Sequence, residues 1–481
     1  MNRRTSSRAV LAVVVLGLVL SLAAGFVTAG QSPNQRYDRS AGVAPTAQEQ
    51  VVEPRSGVTV ITAQRGDMRD LSGEIVAFRP DGTVLYQSER YSTYWDVDPS
   101  PRGDRTVTYV ATEWLNKSVC GGGPMLADRG NCRRNVVERL NLTTGERTRL
   151  YSYRMEGGRW HDVDVINDTH ILVGDIANEA VFVVNTSSGI REWTWAAESE
   201  LPITGGGDYR KDWVHLNDVE YLHDGRIMVD LRNQDKVAFL NRTGIVENWT
   251  LGTDDDYDVL REQHNPDYIP ASEGGPAVVV ADSENDRVVE YQREGGEWTR
   301  TWVWSDDEMQ WSRDADRLPD GNTLVTDTIG DRVFEVNREG EIVWEVPVDR
   351  AYEAERLGTG DESAGGPSAA SADLESRRAE PPSGPAEQFE EAVRDAVPIE
   401  VQNGLLGYFF PWWMGLYDVL ATFALVVAVA VWGGLELRWS SLSLPTRESL
   451  DTDSLVSLRS ILVLTLVAAL GYAAAGVTAL L

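Results

Sequence analysis

The sequence predicts an all-β protein, a six-bladed β-propeller, tied to apolar helices at its N-terminus and twice near its C-terminus. One residue pattern recurs along the chain: a polar or His-bearing start, an Asp one or two residues on, an apolar alternation, a Gly turn and a closing Trp. Clear copies run from Trp160 to Trp193, Val214 to Trp249 and Ser312 to Trp344, and a fourth, stretched by an insertion, runs from Gln263 to Trp302. Within each copy apolar residues alternate over short runs, as at Val181 and Val183, and turns such as Asp224-Gly225, Asp320-Gly321 and Glu339-Gly340 interrupt them. That is the period of strands. Two weaker copies, Val58 to Gln87 and Tyr94 to Tyr151, bring the count to six. A unit this short cannot bury a face alone, so the copies stack radially, with the first strand of each lining a central channel. Leucine-rich and β-helix solenoids repeat at shorter and more uniform periods.

In chain order, residues 1–30 carry Arg3, Arg4 and Arg8 ahead of the apolar run Ala9 to Ala29. This suits a signal peptide or a membrane anchor, and its length favours a retained anchor. Residues 31–56 read as a linker, 57–350 as the propeller and 351–404 as a flexible acidic linker rich in Gly, Ser, Ala and Pro. Within that linker, Gln388 to Val397 fits either a short amphipathic helix or solvated chain. A membrane helix is expected over 405–436, with Phe409, Phe410, Trp412 and Trp413 as its interfacial belt, and another over 460–481. Arg438, Arg447 and Arg459 mark the loop 437–459 as cytoplasmic, which places the propeller on the extracellular side of the cell membrane.

Acidic residues number 75 against 44 basic ones, the formal net charge is −31, and Lys117, Lys211 and Lys236 are the only lysines. Such a surface repels nucleic acid and anionic lipid, so those partners are disfavoured. Acidity with so little Lys resembles proteins of salt-loving archaea, whose charge keeps the chain hydrated under strong screening. Asn116, Asn141, Asn167, Asn185, Asn241 and Asn248 each open an N-x-S/T sequon, which suits an exterior glycoprotein. Cys120 and Cys132, the only cysteines, flank a Gly-rich insertion and would close it as a disulfide in an oxidising exterior.

Aligning the copies on the apolar residue before the turn (Ile166, Leu222, Ile269, Leu318) brings His161, Asn217, His264 and Arg313 to one position, with Trp95 at the matching place in the second copy. Equivalent positions in a propeller sit at one height, so these side chains are expected to face each other at one mouth of the channel, beside Trp160, Trp213, His215 and Trp311. Three of the five histidines fall in these segments, whereas His170 and His223 fall on or beside turns. The blade-closing tryptophans and the repeated aspartates have plainer explanations, in packing between blades and in capping of neighbouring turns. Three imidazoles and a carboxylate could hold zinc or copper, but no close His pair is present, and no metal site is expected. Arg313, with Arg287 and Arg232, favours an anionic group in the mouth, and the indoles favour an aromatic one.

On the pieces HDVDVINDTHILVGD, DWVHLNDVEYLHDGRIMV and EQHNPDYIP followed by ADSENDRVVEY, the chain resembles the arylsulfate sulfotransferase family over about Asp96 to Trp344. The resemblance implies an extracytoplasmic six-bladed propeller that moves sulfuryl from an aryl sulfate donor to a phenolic acceptor through a sulfohistidine, without nucleotide sulfate or other cofactor. The chain departs from the family at Leu231-Arg232-Asn233, where the family reads Ser-Arg-His, and at Arg313-Asp314, where a further histidine is expected. The roles it implies are His264 as nucleophile, His215 or His161 as acid and base, and Arg287 and Arg313 as clamp, with Trp95, Asn217, Trp160, Trp213, Trp311 and Arg232 around the substrate. A membrane-tethered propeller that binds an aromatic or anionic ligand, or a partner protein, without turning it over is the competing function. A quinone-cofactor propeller is third, because that class has more blades.

Overall fold

A computed structural model describes residues 3–439 apart from 31, 65–71, 116–131, 157–158, 210 and scattered positions between 380 and 395. The chain forms two compact units, residues 31–409 and a second made of the two ends.

The larger unit is a six-bladed propeller of antiparallel sheets. Blade 2 comprises strands Thr93–Pro99, Thr106–Trp114, Cys132–Asn141 and Arg147–Glu156, and blade 3 comprises Trp160–Asp162, His170–Asp175, Ala180–Asn185 and Ile190–Ala196. Blade 4 begins with Leu216–Tyr221, blade 5 with His264–Ile269 and blade 6 with Ser312–Arg317, each the innermost strand of its sheet. Blade 1 is built differently. Its strands Val58–Ala63, Glu74–Phe78 and Val84–Ser88 are completed on the inside by Ala351–Leu357, which pairs antiparallel with Val58–Ala63. The chain's late strand therefore closes the ring, and the linker expected from residue 351 starts after Leu357. Alternation places Val60, Ala77 and Leu357 in one apolar layer with Val97, Val107 and Val136 of blade 2. Leu172, Val181 and Trp195 of blade 3 meet Val219, Val229 and Ala238 of blade 4 in the same way. Each fully buried side chain of this size stabilises by roughly 1.5–3 kcal/mol, so the ring is held by its inter-blade layers.

The segments expected as linkers are also packed. Pro33–Ala41 is a helix whose Tyr37 is buried edge-on to Phe78, at a centroid distance of 4.9 Å. Beyond the closing strand, Ser363 Oγ donates to the buried Asp267 carboxylate at 2.6 Å, Ala369 N donates to Glu290, and Trp302 Nε1 donates to Glu375 O. Gly- and Ser-rich composition suggested a free tether here, but its small residues expose backbone N–H groups and hydroxyls that satisfy buried acids.

The sequons acquire a local cause. Asn141, Asn167, Asn185 and Asn241 each accept, through Oδ1, the N–H two residues on, at Thr143, Thr169, Ser187 and Thr243. These are Asx turns at blade tips, which bring N-x-S/T together for structural reasons. Asn248 lies at a 3₁₀ turn; Asn116 and Cys120 lie outside the described residues.

In the smaller unit, Arg3–Ala29 and Leu416–Trp439 are both long and apolar enough to cross a bilayer. They pair through Arg8, whose Nε and Nη2 donate to Glu436 at 2.5 and 2.6 Å, and through Phe26 edge-on to Trp413. The expected span over 460–481 lies outside the described residues, as does most of loop 437–459.

Candidate functional site

The innermost strands open with a β-bulge at one height. Pairing skips Trp95, His161, Asn217, Arg313 and Tyr352 in blades 2, 3, 4, 6 and 1. A bulge leaves its extra residue outside the ladder and re-aims it. In blade 5 the skip comes one residue later, at Asn265 and Pro266, because Pro266 has no N–H to give the ladder, and His264 stays paired with Ala281. Counted back three residues from the inward acids Glu220, Asp267 and Asp316, His264 still shares the height of Asn217 and Arg313.

Two residues upstream, the backbone turns left-handed at His215, Glu262, Trp311 and Arg350, with φ of 55°, 41°, 61° and 55°. Each costs on the order of 1–3 kcal/mol in a residue with a side chain. A repeated latch holds them. Glu179, Asp235, Asp286 and Asp331, themselves left-handed at the hairpin of the preceding blade, accept the N–H of Val214, Glu262, Trp311 and Arg350. The latch turns His215 and Trp311 into the mouth.

There the rings converge. His161 stacks on Trp95 with centroids 4.1 Å apart and lies 5.7 Å from both His215 and Tyr352. The Tyr352 hydroxyl meets His161 Nδ1 at 3.2 Å. His264 stands 6.3 Å from Trp311. The Arg313 guanidinium lies 4.0 Å from the Trp311 ring and 5.2 Å from that of Tyr352. Arg232 sits at the rim, paired with Glu262 and, at 3.8 Å, with Glu284.

Several polar atoms in this mouth are buried without a partner: His161 Nε2, His264 Nε2, both amide atoms of Asn217, and Arg313 Nε. Arg313 is 2% exposed, and no carboxylate pairs with it among the described residues. Groups buried in this way cost several kcal/mol unless a ligand satisfies them. The tautomers follow from the partners. Ser283 Oγ lies 2.6 Å from Ser312 O, to which it donates, so it accepts from His264 Nδ1–H at 2.8 Å and leaves Nε2 as the lone-pair nitrogen. Asp212 Oδ1 takes His215 Nδ1–H at 2.6 Å, which likewise frees Nε2.

Burial, then the positive neighbours Arg159, His215, Arg313 and Arg232, holds His161 well below the usual imidazole range. Burial, then Arg313 and Arg232, does so for His264. His215 is pushed down to about 4 by burial and Arg232, against the pull of Asp212. Asp212 falls to about 2, where its bond to His215 and the nearby arginines outweigh burial. All three imidazoles are therefore neutral near pH 7, as nucleophiles and bases must be.

Three expected site residues lie elsewhere. Trp160 is buried between Tyr151 and Tyr153, at 5.9 and 6.0 Å, because the bulge that turns His161 inward leaves its neighbour in the blade layer. Trp213 packs on Tyr209, with Nε1 donating to Gly205 O. Arg287 is consumed by Asp282 and by the carbonyls of Asp258 and Val259 on the connection between blades. Conversely, Tyr352, Asp212 and Ser283 belong to the mouth and were not anticipated. Tyr352 had a signal: Tyr352-Glu353-Ala354-Glu355 repeats the quartet of Trp95-Asp96-Val97-Asp98 and His161-Asp162-Val163-Asp164.

The mouth has a roof. Helix Ile399–Tyr408 donates from Asn403 Nδ2 to Glu284 at 2.8 Å, accepts Gln310 Nε2 at Asn403 Oδ1, and receives Arg350 Nη2 at Leu406 O. A Cβ at Gly407 would stand 3.1 Å from the Trp311 ring, so any larger residue there would make the ring or the helix give by a few tenths of an ångström.

Beneath the mouth, five of the innermost strands continue with two acids and blade 5 with one. The upper tier is Asp96, Asp162, Asp218, Asp314 and Glu353, with Asn265 in the sixth place, and the lower tier is Asp98, Asp164, Glu220, Asp267, Asp316 and Glu355. Many brace the next blade: Asp96 accepts Val163 N, Asp162 accepts Val219 N, Asp314 accepts Ala354 N and Glu353 accepts Val97 N. Among the described residues, the three groups whose oxygens or nitrogens stand close enough to share a cation are all carboxylates, and none contains a histidine.

Residues 149–349 match the family model for arylsulfotransferase (ASST). No curated protein matches the chain. Solved structures similar to it include a protein of unknown function from Bacteroides caccae, with 10% identity over 62% of this chain and 97% of that one and a TM-score of 0.43. Another is the periplasmic gluconolactonase of Pseudomonas aeruginosa, with 12% identity over 63% and 99% and a TM-score of 0.40. Likeness at that level says nothing of chemistry.

Proposed function

We propose that this protein is a sulfotransferase that moves sulfuryl from an aryl sulfate to a phenol by way of a sulfohistidine. One observation carries the reading: an unpaired buried guanidinium, two bare imidazole nitrogens and a stack of indole and phenol rings converge, which is the complement of an aryl ester of an oxyanion. The family match supports the same class.

In this reading His264 Nε2 attacks sulfur, forming the S–N bond as the S–O bond to the aryl group breaks. Ser283 fixes the Nδ1–H tautomer that makes Nε2 the nucleophile. His215 Nε2–H, protonated in the donor complex, gives its proton to the departing phenolate. It then takes one back from the acceptor phenol, and Asp212 stabilises the imidazolium that precedes the first transfer and follows the second. Arg313 holds the sulfuryl oxygens while charge shifts among them. Trp95 and Trp311 flank the aryl ring, and Arg232 draws the anion in at the rim. Arg287, Trp160 and Trp213 drop out of the substrate contacts. The donor sulfate also raises the His215 pKa on binding, because a negative neighbour favours the charged imidazole.

The same reading places the propeller outside the cell membrane, with Cys120 joined to Cys132 and glycan at exposed sequons such as Asn167 and Asn241. The roof over Trp311 favours the binding-only alternative as the second reading, since turnover needs helix Ile399–Tyr408 to lift. The test is a detergent-solubilised full chain in high salt with a chromogenic aryl sulfate and excess phenol. Phenol release that depends on the acceptor supports transfer; no release under any acceptor leaves only the binder.

A further inference from the structure

We propose that the floor of the channel is a cation site, in which Asp96, Asp98 and Glu353 hold one calcium ion and the Asn265 carbonyl oxygen completes its protein ligands. One oxygen from each of the three carboxylates lies within 4.8 Å of the others. Ligands about 2.3–2.6 Å from a shared calcium stand this far apart.

The acids alone are explained in part by the N–H groups they accept from neighbouring blades. That accounts for Glu353 Oε1 and one oxygen of Asp96, but it does not account for the rest. Asp98 Oδ2 is buried with no partner, and Asp98 is 5% exposed. Asn265 supplies the independent observation. It stands where five other blades carry an acid, reaches past blade 6 to donate from Nδ2 to Glu353 Oε2 at 3.1 Å, and is 5% exposed. Its Oδ1 has no donor at all. Flipping the amide would turn that oxygen onto the Glu353 carboxylate, so the assignment is fixed by charge. A buried amide oxygen beside this carboxylate cluster, with no hydrogen to meet it, has a hard cation as a natural partner.

The lack of counter-charges points the same way. None of the twelve tier residues forms an ion pair among the described residues. Among nearby arginines, Arg317 is paired with Glu290 and Arg313 stands in the mouth above. Oxygen ligands, several of them anionic, with no nitrogen or sulfur, suit calcium rather than zinc or copper.

The site is independent of the transfer chemistry and is tested without it. The full chain in detergent and high NaCl is stripped with EGTA, dialysed, and titrated with CaCl2 by calorimetry, with melting temperature followed in parallel. The expected result is saturable calcium binding and a rise in melting temperature, with one equivalent of binding lost in Asp98→Asn. The milder variant Asn265→Ala should keep the fold and weaken calcium affinity by about tenfold. No calcium response in the stripped wild-type chain, or unchanged affinity and stoichiometry in both variants, overturns the proposal; so does a site that sodium fills with no response to calcium.

Discussion

The mouth and the floor of the channel are made by the same six strands, one residue apart, yet one is neutral to cationic and aromatic while the other is a double tier of acids. Trp95, His161, Asn217, His264, Arg313 and Tyr352 differ from blade to blade, whereas the residues after them are acid in five blades of six. The floor is the repeat's common structural part, with Asp96, Asp162, Asp164, Glu220, Asp314 and Glu353 bracing the next blade, and the mouth is where the copies diverge. Symmetry builds the scaffold, and its breaking builds the site.

The sharpest way to separate the two is to remove mouth groups one at a time. His264→Ala should lower kcat by about 10⁴-fold or more while melting temperature stays near wild type, measured by steady-state release of phenol. Arg313→Lys keeps the charge but loses the planar fork, and should cost roughly 10²–10³-fold in kcat/KM. Asp212→Asn should lower kcat by about 10²-fold with KM little changed, because it acts through His215 rather than on substrate.

How far the sequence could reach is clear from these residues. The repeat placed Trp95, His161, Asn217, His264 and Arg313 at one height, because period-2 strands with fixed turns preserve register across copies. Tyr352 escaped because the closing strand pairs with residues far earlier in the chain, and its composition ran into a Gly- and Ser-rich stretch that reads as linker. Asp212 escaped because it lies in a connection with no repeat to align it, and only the left-handed turn at His215 brings the two together. Trp160 and Trp213 were misplaced because one residue of shift at a bulge decides between channel and blade interior.

A smaller effect separates mouth from floor by pH. Burial raises Asp164 to about 6 and Asp314 to about 7, and burial with the neighbouring Asp164 raises Asp162 to about 7, above the usual carboxylate range. Their protons are held more tightly in the folded chain, so this stability is present below about pH 4 and is lost as pH rises through about 6 to 7. His215 runs the other way: its folded value of about 4 lies under 6.5, so its contribution is lost as pH falls from 6.5 to 4. Calcium-free protein should therefore lose several degrees of melting temperature between pH 5 and 8, and calcium should remove that loss, as read by thermal unfolding at fixed salt.

The central claim, that the mouth carries a sulfuryl group on His264, is tested most directly by rapid acid- and base-quench of the enzyme mixed with aryl sulfate and no acceptor, followed by peptide mass spectrometry. The account predicts one sulfuryl group per chain on the peptide containing His264, stable in base, labile in acid and discharged by added phenol. An unlabelled chain that still releases phenol in a burst, or a label on another residue, would contradict it.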